Sequence, residues 1–167
     1  MKKIELQEWA LAAEIIGGLA VVVTLIFLVS ETRDNTNAIQ AQTYQSLTAA
    51  LNENRKEAAT SEMSVIIRKF SDTGLASLSQ DESFRLMMNT EGKWGIYESA
   101  FYARERGVLG QDEWVRFHNA ICRNLDLDKS LWDPQSLGLS LTLGSREVSI
   151  ATNVTPKFRA YVNSSCE

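Results

Sequence analysis

Three glutamates, Glu91, Glu98 and Glu105, recur at intervals of seven, which sets them nearly on one face of a helix. Inward carboxylates of this kind hold di-iron centres when facing helices add Glu-x-x-His pairs. The single histidine, His118, follows Glu113 by five residues and does not supply that pair. Cys122 and Cys166 lie 44 residues apart and neither belongs to a CxxC pair, so a zinc ligand set of three or four closely spaced donors is missing. No metal and no other cofactor is expected. The two cysteines are compatible with a disulfide in an oxidising compartment and equally with two buried thiols. His118 reads as a surface or capped core residue. Gly-x-Ser-x-Gly, P-loop and Gly-x-Gly-x-x-Gly signatures do not occur, and the frequent Ser and Thr have no base to activate them. The chain does not read as an enzyme.

One further carboxylate, Glu14, stands where a charge is expensive. From Trp9 to Ser30 it is the only charged residue in a run of 22. At about 1.5 Å per residue this run spans roughly 33 Å, near the thickness of bilayer hydrocarbon. Lys2 and Lys3 precede it as in a secretory signal, but the apolar run continues to Val29 and then meets Ser-Glu-Thr-Arg, a poor cleavage site. The segment is read as a single transmembrane helix with Trp9 at one interface. Ala13, Gly17, Ala20 and Thr24 extend a stripe of small residues begun at Ala10, with Gly18 beside it. Lipid-embedded helices associate by close backbone packing over such residues. The expected intramembrane interface is therefore Ala13, Glu14, Gly17, Gly18, Ala20 and Thr24. Glu14 would be hydrogen-bonded between helices or snorkel toward the headgroups. The alternative is an ion- or ligand-handling oligomer in which Glu14 faces a central path.

These residues need elements to carry them. Residues 31–60 contain no Gly or Pro and are rich in Ala, Gln, Glu and Leu, so the helix continues beyond the span. Tyr44, Leu47 and Leu51 form a 3-4 seam there, suited either to a juxtamembrane interface or to packing on the chain's own domain. A helix follows at Glu62–Phe70, ended at Asp72-Thr73-Gly74. Ser79 and Glu82 form a capping box for the next helix, which stops at Gly107. Its Trp94, Tyr97 and Phe101 share a face and read as core. A helix opening at Gly110 buries Trp114, Phe117, Ile121 and Leu125. Alternation at Leu139, Leu141 and Leu143, then Val148 and Ile150, predicts a β-hairpin over 137–151 around Gly144. Thr155-Pro156 starts a short last helix. The fold class is mainly α. Residues 1–8 are a short N-terminal segment, 9–30 the transmembrane helix, 31–60 a juxtamembrane helix and 61–167 a small helical-bundle domain with that hairpin.

The net charge is −4, and beyond residue 30 there are 15 basic against 18 acidic residues with no basic run. Phosphate-backbone binding has no footprint here, so nucleic acid is excluded as a partner. The expected partners are the lipid bilayer and either further copies of the chain or other membrane subunits. Lys2 and Lys3 outweigh Arg33, which by the positive-inside rule puts the domain outside the cytoplasm.

The segments "LVSETRDNTNAIQAQTYQSL", "DESFRLMMNTEGKWGIYESAFYARERGVLGQDEWVRF" and "TPKFRAYV" together resemble a widespread group of bacterial single-span membrane proteins with no assigned activity. The resemblance implies an N-terminal transmembrane helix, a small helical domain and residence in the bacterial inner membrane. It departs at 137–151, where relatives would be more helical. Relatives also carry more arginines after the span, which implies a cytoplasmic domain, opposite to the charge count.

Overall fold

The computed structural model describes residues 6–133, 142–143, 146–147 and 149–166. Two compact units are found, residues 1–41 and 42–167. Helix α1, Leu6–Ala58, runs through both. Within the first unit it is wholly exposed from Trp9 to Ile39. It is the one helix, among the described residues, long and apolar enough to cross a membrane, with a mean hydropathy of 2.5 in its most apolar stretch.

The second unit is a helical bundle built from the end of α1, α2 (Ser61–Thr73), α3 (Gln80–Glu105), α4 (Gln111–Trp132), a helical turn α5 (Ile150–Asn153) and α6 (Pro156–Ser165). Several boundaries have a local cause. At α2, the Met63 N–H donates to the Thr60 hydroxyl at 3.3 Å. Gly74 ends it at φ +76°, a left-handed conformation that a side chain resists. The α3 capping box is formed: the Glu82 N–H donates to Ser79 Oγ at 3.2 Å and the Ser79 N–H donates to Glu82 Oε2 at 2.6 Å. Gly107, at φ +70°, lets the chain turn away beyond α3.

The core is aromatic. Trp94, Tyr97 and Phe101 are buried on α3 as the shared face requires, and Trp94 packs 4.4 Å from Trp132 of α4 between ring centres. Phe158 of α6 is fully buried against Phe101. Of the four α4 residues expected to be buried, Phe117 and Ile121 are, whereas Trp114 and Leu125 are only half-buried. Trp114 sits in the first turn of α4, where Phe101 and Tyr161 cover part of its ring and solvent reaches the rest. A disulfide joins Cys122 on α4 to Cys166 at the end of α6.

Among the described residues, two rungs of the predicted hairpin are present. Thr142 and Leu143 (β1) pair antiparallel with Glu147 and Arg146 (β2). Its second arm does not reach Ile150. There the chain coils into α5, because Ile150 and Ala151 are buried in the domain core and the Thr152 N–H and hydroxyl both donate to the Ser149 carbonyl. The remaining positions, 134–141, 144–145 and 148, lie outside the described residues.

Candidate functional site

Along α1, the helical rise keeps Ala13, Gly17, Ala20 and Thr24 on one side. The Thr24 hydroxyl donates to the Ala20 carbonyl at 2.8 Å, so its polar group is satisfied within the helix. Glu14 and Gly18, one turn apart, form an adjacent strip rather than part of the stripe. No atom would approach within 4 Å of a Cβ added at Gly17 or Gly18, so this face is open.

Tyr44, Leu47 and Leu51 are not open. Leu47 and Leu51 are buried in the domain core, Tyr44 meets Phe117 edge-on at 6.3 Å, and its hydroxyl accepts from Arg116 at 3.0 Å. Of the two uses compatible with that seam, packing on the chain's own domain is the one adopted. Leu47 and Leu51 are thus spent on the domain core, while Tyr44 stays half-buried at its edge.

The glutamate row on α3 is also engaged. Glu91 accepts from the Asn153 amide at 2.7 Å, Glu98 accepts from the Thr155 backbone N–H at 2.8 Å, and Glu105 pairs with Lys157. Three acids seven apart thus bind three alternate residues that lead into α6. His118 shares a 2.6 Å hydrogen bond with the Tyr161 hydroxyl through Nδ1, which joins α4 to α6. Burial pushes the Tyr161 hydroxyl above its ordinary value.

Sequence reading passed over a different cluster. A cavity of about 370 Å³ opens between the end of α1 and helices α2, α3 and α4. Leu51, Ile67, Phe70, Leu86 and Leu131 supply apolar wall. The polar wall centres on Asp128, which is buried and receives both the Trp94 indole N–H at 2.9 Å and the Lys93 ammonium at 2.7 Å. Nearby, the Tyr97 hydroxyl accepts from the Asn124 amide at 3.0 Å. Burial pushes that hydroxyl above its ordinary value and Asp128 adds to the shift, while Arg55 and Arg123 act against it. Asn54 Nδ2 donates to the Asn89 carbonyl at 2.9 Å. Asn89 is itself buried, and its side-chain Nδ2 has no hydrogen-bond partner among the described residues.

A signal for this cluster was present. Asp128 is seven residues after Ile121 and four before Trp132, so it occupies the apolar face of α4. Asn89 and Thr90 stand likewise between Leu86 and Trp94 on the buried face of α3. Polar residues at core positions need partners or ligands. No protein family, no curated protein and no solved structure matches the chain.

Proposed function

We propose that this chain is a single-pass protein of the bacterial inner membrane, and that α1 both anchors the helical domain and assembles it with further copies or with other membrane subunits. The observation that carries the reading is the uninterrupted exposure of an apolar helix from Trp9 to Ile39. Leu11, Ile15, Leu19 and Ile26 are each more than half exposed, a surface that water does not tolerate over this length. Lipid would cover the bulky side. The stripe Ala13, Gly17, Ala20 and Thr24 would allow close approach of a second helix, with Glu14 and Gly18 at its border.

The Cys122–Cys166 disulfide supports placing the domain on the oxidising, extracytoplasmic side, since such bonds persist there and are reduced in the cytosol. That agrees with the excess of Lys2 and Lys3 over Arg33. Native mass spectrometry after gentle extraction tests the assembly. A ladder of the chain's own mass that collapses in Gly17→Leu is the expected result for self-assembly, and other subunits in fixed ratio would identify an accessory role. A monomer in both proteins would overturn the reading.

A further inference from the structure

We propose that the cavity between α1, α2, α3 and α4 binds an amphipathic organic anion, a carboxylate carried on an apolar body. This inference is independent of the assembly role of α1. The argument is one of charge, polarity and size. Arg55, Lys93 and Arg123 line the cavity against a single acid, Asp128. Lys93 is already neutralised by Asp128 at 2.7 Å. Among the described residues neither guanidinium has a carboxylate within ion-pair distance, and Arg55 reaches only the Asn52 side-chain oxygen at 3.4 Å. Two cationic groups are therefore left over beside a cavity in a chain whose net charge is −4.

A second observation points the same way. Asn89 carries a buried donor with no partner among the described residues, and an unmade hydrogen bond of this kind disfavours the empty state. An anionic oxygen would satisfy it by a small adjustment of the side chain, with the guanidiniums completing the head-group site in the bidentate manner suited to carboxylates. Leu51, Ile67, Phe70 and Leu86 add apolar lining, so a bare inorganic anion would leave that part of the site unfilled. A volume of about 370 Å³ falls in the range of small-molecule sites.

The test uses the full chain in phosphatidylcholine nanodiscs, with 4-phenylbutyrate as probe and 4-phenylbutanol and inorganic phosphate as comparators, read by ligand-observed NMR. Saturable binding of the acid is expected, with at least tenfold weaker binding of the alcohol and of phosphate. The double substitution of Arg55→Gln and Arg123→Gln should weaken the acid at least tenfold. Both arginines are exposed, so its melting temperature should stay close to that of the parent and keep the comparison clean. Adding phosphatidylglycerol to the disc separates two sources of the anion: competition with the probe identifies a membrane lipid, and its failure to compete identifies a soluble acid. Equal binding of acid and alcohol, no saturable binding, or an unchanged affinity in the double variant would overturn the proposal.

Discussion

The backbone N–H of Thr155 donates to Glu98 Oε1 at 2.8 Å, and the two residues are 57 apart in the chain. Thr155 is the N-cap of α6, yet its own side chain makes no cap bond, because its hydroxyl pairs with Tyr102 at 2.8 Å. A carboxylate from α3 thus sits at the positive end of α6. Glu98→Ala should lower stability by about 1 kcal/mol, the usual worth of a partly exposed charged hydrogen bond. It should also speed amide exchange in α6 more than in α2. Uniform acceleration across both helices would contradict a local tether.

Reduction of Cys122–Cys166 should destabilise the domain by about 2–4 kcal/mol, the typical cost of reopening a loop of this length. Denaturant titration with and without reductant measures it, and the paired Cys122→Ala, Cys166→Ala variant should match the reduced protein. A midpoint indifferent to reductant would show that the bond contributes nothing.

The tryptophans of α3 and α4 should differ sharply. Trp94 is fully buried with its indole N–H on Asp128, so Trp94→Ala should cost about 3–5 kcal/mol. Trp114 is half-buried and makes no such bond among the described residues, and Trp114→Ala should cost about 1–2 kcal/mol. Asp128→Ala should resemble Trp94→Ala in severity, because it strands the Lys93 ammonium and an indole donor in the interior. Equal costs at Trp94 and Trp114 would refute the difference in burial.

Acid should act partly through Glu82. The Lys69 ammonium at 2.8 Å, together with the Ser79 N–H, holds this carboxyl down to about 2. Its pKa in the unfolded chain is about 4.3. Because the folded value is the lower one, the stabilisation is fully present above about pH 4.5 and is lost as pH falls through about 2. Glu82→Gln should therefore melt below the parent at neutral pH, with the gap closing on acidification. A constant gap from pH 7 to pH 2 would show that the charge is irrelevant.

Where a feature depends on neighbours in sequence, it was legible. Ser79 with Glu82 and the glycines at 74 and 107 mark real helix ends, since capping acts within one turn, and Pro156 marks the start of α6 by its fixed φ at N1. Trp94, Tyr97 and Phe101 read as core because helical spacing gathers them on one face. The seam at Tyr44, Leu47 and Leu51 was legible as apolar but not as internal, because an apolar stripe is the same whichever helix covers it. The cavity was not legible: it exists where four helices meet, and no local spacing reports that Arg55 and Arg123 share it. The pairing of Cys122 with Cys166 needed three dimensions for the same reason.

That bond also changes what a broken backbone would mean. It fastens the end of α6 to the middle of α4, so any single cut in the stretch of chain between those two cysteines leaves both pieces on one covalent molecule. Phe158 and Val162, buried in the intact core, would stay covalently joined to α4 after the cut. A nicked chain and an intact one would share a mass on a denaturing gel, to within the added water, until the sulfurs were reduced. The stretch from α4 to α6 is in that sense a closed ring, with its continuity guaranteed twice.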